Sequence, residues 1–146
     1  MDARFTIDGA RELERLLKEL GPEVGSKVAL QALRASARSI QRELKARAPE
    51  GKGKPHPKYG RLKDNIRVTT VEKDPPEFEV VVHTGSAFWA HFLEFGTVKM
   101  RPHPWFSPVW DASVQAALET LGKNMSTGIS REARKLAGTY GRNRRR

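Results

Sequence analysis

The stretch from Gly85 to Asp111, GSAFWAHFLEFGTVKMRPHPWFSPVWD, restricts the folds open to this chain more than any other. It holds all three tryptophans together with Phe88, Phe92, Phe95 and Phe106. Phe88, Phe92 and Phe95 recur at helical spacing, with Trp89 and Leu93 forming a second row beside them. A helix of that pattern is apolar over most of its circumference, more than one packed face can use. Gly96 is placed to stop it, because glycine takes the left-handed conformation past a helix end without steric cost. Pro102, Pro104 and Pro108 follow, each fixing φ and removing a backbone donor. Most of these aromatic residues are expected in a core, and one side of the cluster on an intersubunit surface. The residues assigned to that surface are Phe88, Trp89, Phe92, Glu94, Phe95, Thr97, Met100, Pro104, Trp105 and Phe106. Glu94 is the one acid of the aromatic helix. It reads as a surface carboxylate, a cap, or a salt-bridge partner for a neighbouring subunit's arginine.

Punctuation divides the rest of the chain. Residues 3–8 alternate loosely as a short strand with Phe5 and Ile7 inward. Asp8 can cap a helix from about Ala10, striped by Leu13, Leu16, Leu17 and Leu20. Gly21-Pro22 breaks it, and proline suits the first turn of a second helix, about Glu23 to Ala46. Val28, Leu33, Ala37, Ile40 and Leu44 give that helix a buried face, and Ala29, Ala32, Ala35 and Ser36 allow close approach. Ala48-Pro49 ends it, since the residue before proline avoids helical geometry. Residues 50–60 (EGKGKPHPKYG) lack apolar periodicity and read as a mobile basic loop. After a helical turn at Arg61 to Asn65, Ile66–Val71 and Phe78–Thr84 are rich in β-branched residues and form an antiparallel hairpin. A helix from Pro108 to about Asn124 follows, weakened by Gly122 and Gly128, with a separate short helix from Ile129 to Leu136.

A chain of 146 residues suggests one domain, placed at 1–137, with 138–146 a disordered basic tail. There is no cysteine, hence no disulfide framework and no thiolate metal site. No apolar run of about 18 residues occurs, and the N-terminus lacks a signal-peptide pattern, so a cytoplasm or a particle assembled in one is expected. Net charge is +10, from 27 Lys and Arg against 17 Asp and Glu. It gathers at Arg34 to Arg47, at Lys52 to Lys63, and at the C-terminus. An excess of this kind attracts polyanions. Lys52, Lys54, Lys58, Arg142, Arg144, Arg145 and Arg146 are therefore candidates for channel or partner contact.

Catalytic patterns are missing from the sequence. His56, His83, His91 and His103 have no metal-ligand spacing, and the one His91-x-x-Glu94 pair lies among aromatic residues. There is no G-x-S-x-G elbow, Walker loop or dinucleotide fingerprint. A non-enzymatic chain without metal or cofactor is the expectation.

Two motifs resemble the head–tail joining, or tail-completion, proteins of long-tailed phages and prophages, also called minor tail components. The first is a helix ending in Ala-Pro, a linker, then Gly-x-Leu-x-x-Ser-Ile, seen here as Ala48-Pro49 and Gly60-Arg61-Leu62-Lys63-Asp64-Asn65-Ile66. The second is Ala-x-x-x-Glu-Phe-Gly-Thr followed by Pro-Phe-x-x-Pro. It is seen as Ala90 through Glu94-Phe95-Gly96-Thr97, then Pro104-Trp105-Phe106-Ser107-Pro108. Tyr59, Asn65 and Trp105 depart from the family's usual Thr, Ser and Phe, and the linker is longer and more basic. The resemblance implies an α+β subunit, a long helix packed on a small, mostly antiparallel sheet, with a C-terminal helix. It further implies a homo-oligomeric ring of several copies, six in number, in the neck or at the upper end of the tail. Its neighbours there would be a stopper or head-completion protein and the tail tube, with double-stranded DNA passing through and no membrane. The alternative carried beside it is a stand-alone basic nucleic-acid-binding protein.

Overall fold

The computed structural model describes residues 10–72 and 78–143, so the strand expected at residues 3–8 lies outside the described residues. Its elements are α1 (Ala10–Glu19), α2 (Pro22–Arg47), α3 (Leu62–Asn65), β1 (Arg67–Glu72), β2 (Phe78–His83), α4 (Trp89–Phe95) and α5 (Phe106–Asn143). The class is α+β and rich in helix. Two compact units share the two long helices: Met1–Ala35 with Leu118–Arg146, and Ser36–Ala117.

In the first unit α1 ends at Gly21, whose φ of +84° is open to glycine and strained for other residues. The Gly21 N–H donates to the Lys18 carbonyl, and Pro22 then opens α2. α1 meets α2 closely: a Cβ on Gly25 would lie 3.1 Å from the Leu17 carbonyl oxygen. α2 and α5 meet at Val28 and Gly128, both buried. The sequence predicts a break in the C-terminal helix around Gly128, yet α5 runs unbroken for 38 residues. Packing explains the difference. A Cβ on Gly128 would stand 2.7 Å from Val28 Cγ1, so glycine is there for closeness and not as a breaker. The same helix carries Gly138 to Asn143, read from sequence as the start of a tail; Arg144, Arg145 and Arg146 lie outside the described residues.

The buried face of α2 differs from the expected one in gaining small residues and losing Leu33. It runs Val28, Ala32, Ser36, Ala37, Ile40 and Leu44, continued just past the helix end by Ala48, while Leu33 is half-buried. Small side chains at 32 and 36 complete a near-perfect four-residue repeat, which hydrophobicity alone under-reads because serine counts as polar.

The second unit forms around Leu44 and Ile66, both fully buried. Ile40 from α2, Ala48 just after it, Leu62 from α3, Ala90 from α4 and Trp105, Val109 and Ala117 beside or within α5 join them. The Gln41 amide donates to the Ile66 carbonyl at 2.7 Å, tying α2 to the entrance of the hairpin. β1 and β2 pair antiparallel in the register Arg67↔His83 to Glu72↔Phe78, as the β-branched runs predict. On β1 half-buried Val68 and Thr70 alternate with exposed Arg67, Thr69 and Val71, and they pair with half-buried Val82 and Val80 on β2. Val82 is the sheet residue packed against the core, so the core is lined mostly by helices.

Candidate functional site

α4 is turned the opposite way from its apolar pattern. Ala90 and Glu94, four residues apart and so on one face, point inward, 4% and 8% exposed. The aromatic residues point out: Phe88 is 59%, Phe92 43% and Phe95 65% exposed. Trp89 and Leu93 lie between, half-buried. Edge-on contacts link Phe88 to Trp89 and to Phe92, at centroid separations of 5.3 and 6.2 Å.

Glu94 faces inward because it caps another helix. One carboxylate oxygen accepts the Trp105 and Phe106 N–H groups at 2.8 and 2.9 Å. The other accepts the Ser107 N–H at 3.0 Å and the Ser107 hydroxyl at 2.5 Å. The first N–H groups of a helix have no partner within it, and a negative charge there also meets the positive end of the helix dipole. Burial pushes the Glu94 carboxyl upward, but the Ser107 hydroxyl and the N–H groups of Phe106, Trp105 and Ser107 outweigh it and hold the pKa at about 2. Of its three sequence readings, the cap is the one the structure bears. Glu94 was also assigned to a subunit surface; in the single copy it is buried and both its oxygens are bonded within the chain. Trp105, placed on the same surface, is core at 6% exposure, held between Pro104 and the start of α5 with its N–H bonded to Glu94.

Beyond α4, Gly96 has φ +75° and donates to the Phe92 carbonyl. A Cβ there would lie 2.7 Å from the Met100 carbonyl oxygen and 2.8 Å from Pro102 N, so the chain doubles back more tightly than a side chain permits. Thr97 and Met100 close that turn with paired backbone bonds of 2.8 and 3.1 Å, leaving Val98 fully exposed at its tip. Thr97 and Pro104 are exposed, while Met100 and Phe106 are half-buried. Phe106 stacks on Trp110 at 6.0 Å, and Trp110 is itself exposed.

The basic loop packs onto this surface. His56 Nδ1 accepts the N–H groups of Lys58 and Tyr59 at 3.2 and 3.3 Å, and His56 and Gly60 pair through their backbones. The turn so formed stacks His56 on Tyr59 at 4.7 Å and on Trp89 at 5.6 Å. Asn65, buried, braces it from below by donating to the Tyr59 and Arg61 carbonyls. Sequence reasoning assigned roles to neither His56 nor Tyr59. Their signal was present in the P-H-P-K-Y order, with prolines that favour a turn and two rings three residues apart.

A family model matches residues 11–96, more than half the chain, and its description is "Bacteriophage HK97-gp10, putative tail-component". The chain belongs to this family. Comparison with curated proteins and with solved structures gave no match. The match runs from α1 through α4 and closes on Gly96, so it includes Glu94 but not the α5 terminus that Glu94 caps.

In this phage tail component the cationic residues fall in two places. Lys52, Lys54 and Lys58 are exposed on the loop, with Lys58 Nζ 5.2 Å from the Tyr59 ring centre. Arg142 falls in the last turn of α5. Sequence reasoning passed over a basic face on α5, where Arg131, Arg134 and Lys135 lie beside Ser126, Thr127 and Ser130. Arg131 donates to Gln31 and to Glu132, so part of that face braces α5 against α2. Among the described residues no group of His, Cys, Asp and Glu is arranged to hold a metal ion, and no helix is long and apolar enough to cross a membrane.

Proposed function

We propose that this tail component is a ring-forming subunit, six copies by the family resemblance, that completes the tail and joins it to the head around the DNA channel. The outward aromatic face of α4 carries the reading. Phe88, Phe92 and Phe95 stand in water while a carboxylate occupies the inner side of the same helix. Exposed apolar clusters of this size on a small protein mark partner surfaces. A lone chain gains nothing by exposing three phenylalanines. A copy that covers them gains the hydrophobic transfer energy of each ring. Glu94 and Gly96 fix the C-terminal end of α4, so that part of the face is preformed and little entropy is lost on docking. The terminal arginines suit a wall that passing duplex DNA meets through charge alone, and Lys52, Lys54 and Lys58 suit an acidic partner surface. The site of action on this reading is the virion neck, after assembly in the bacterial host.

The test is mass by light scattering across a concentration series for wild type and Phe95→Asp, with circular dichroism to verify folding. Phe95 is the most exposed of the three rings, so the charge enters water and the fold is retained. A ring-sized mass for wild type that falls to monomer in the variant supports the proposal. Equal assembly of both removes the aromatic face as its basis. A wild-type monomer that binds free duplex with steep salt dependence replaces the proposal with the nucleic-acid-binding reading.

A further inference from the structure

The second unit carries another recess, roughly a third of a turn around α4 from the phenylalanine face. Residues 49–63 and α4 enclose an open groove of about 650 Å³. Its apolar lining is Pro55, Pro57, Leu62, Trp89 and Leu93, and Lys54, Arg61 and Lys63 rim it. Glu50 reaches across to Lys63 at 2.5 Å and Arg61 at 3.9 Å, the one acid among five cations from 50 to 63. Lys52, Lys54 and Lys58 are in no ion pair among the described residues. The groove therefore offers an apolar floor under an excess of positive charge.

The same chain contains the complement. Glu72 to Glu77, EKDPPE, is its densest acidic run, three acids against one lysine in a chain of net charge +10. It joins β1 to β2 and includes Pro75-Pro76. Proline segments suit aromatic-lined grooves, because they are stiff before binding and bring no N–H onto an apolar floor.

We infer that the groove between residues 49–63 and α4 receives the Glu72–Glu77 segment of a neighbouring copy of this chain. The inference rests on the ring reading and deepens it. Head-to-tail rings need a surface and its complement at different places on one molecule, and these two supply them. The acids meet Lys52, Lys54 and Lys58, and the prolines lie on Trp89 and Leu93. Every copy then both gives a segment and takes one, and the contact sets the direction around the ring.

Charge exchange tests it. One variant carries Lys52→Glu, Lys54→Glu and Lys58→Glu, all exposed positions whose change leaves the fold alone; the other carries Glu72→Lys, Asp74→Lys and Glu77→Lys. Each variant by itself should need about a hundredfold more protein than wild type to assemble, because like charges now face each other. An equimolar mixture should regain the wild-type assembly, since each reversed segment meets a reversed groove on the other variant, and the sixfold variant should regain it unaided. If wild type assembles and each variant alone assembles equally well, the inference fails and the ring reading stands. That outcome is also the one expected if the groove takes an acidic segment from a different protein. Recovery in the sixfold variant but not in the mixture places the segment on its own copy's groove and overturns the inference. A wild type monomeric at every concentration overturns both.

Discussion

Replacing Glu94 by glutamine tests whether one carboxylate couples α4 to the start of α5. The change keeps the size and one oxygen, but puts an NH2 group where N–H donors now converge, and it removes the charge. The lowering of the Glu94 pKa from 4.5 to about 2 measures how much better the folded state holds the ionised form than the neutral one. At 1.36 kcal/mol per pKa unit the loss is about 3 kcal/mol near neutral pH. For a domain of this length that is a fall in Tm of about 6–12 °C. The sign with pH follows from the direction of the shift. A depressed carboxyl pKa contributes stability above its unfolded value, and the contribution fades as pH falls from 4.5 towards about 2. Urea unfolding of both proteins at pH 7, 5, 4 and 3 should therefore show curves about 3 kcal/mol apart at pH 7 that draw together on acidification. Other carboxylates titrate in both proteins and cancel in the difference. A loss below about 1 kcal/mol at pH 7, or a gap that does not change with pH, would refute the capping argument.

Three further substitutions probe the same framework by urea unfolding. Gly96→Ala, at φ +75° with a Cβ placed 2.7 Å from the Met100 carbonyl oxygen, should cost more than about 2 kcal/mol; a neutral result would mean the turn after α4 is loose. Asn65→Ala leaves the Tyr59 and Arg61 carbonyls without their donor and should cost about 1–3 kcal/mol. It should also blur the near-ultraviolet signal of the His56–Tyr59–Trp89 stack. Gly128→Ala forces a methyl to within 2.7 Å of Val28 Cγ1, a cost of about 1–3 kcal/mol. Val28→Ala in the same protein should return part of that loss, and strict additivity would show that the two residues do not touch.

The breaks in this chain were legible because they depend on neighbours in sequence. Gly21 and Gly96 take the positive φ that few other residues accept, Pro22 and Pro49 fix their own φ and restrict the residue before them, and the helices end at these places. The β-branched runs on either side of residues 73–77 likewise pair as read. Gly128 shows where such reading fails. Its local propensity argues for a helix end, but Val28 fills the space a side chain would need, a hundred residues earlier in sequence, and α5 continues. The cap on α5 was hidden for the same reason. Glu94 and its partners at 105–107 stand in different elements, and no helix-end pattern spans that gap.

The orientation of α4 was legible only in part: Phe88, Phe92 and Phe95 were assigned to a surface and are exposed, but Glu94 was placed on that surface with them and lies inside. Apolar periodicity locates the buried face of a helix on the premise that its own chain is all it packs against. By that premise Phe88, Phe92 and Phe95 belong inside and Glu94 outside, and the structure has the reverse. The inversion is no accident of propensity, because three backbone donors and a hydroxyl hold Glu94 where it is. Turning the helix to bury the rings would leave those donors unpaired in the core, at about 1–3 kcal/mol each. The fold of one copy thus fixes the rings outward. A helix whose polar residue is locked in and whose apolar residues are held out is physically consistent with a chain that completes its packing against another copy.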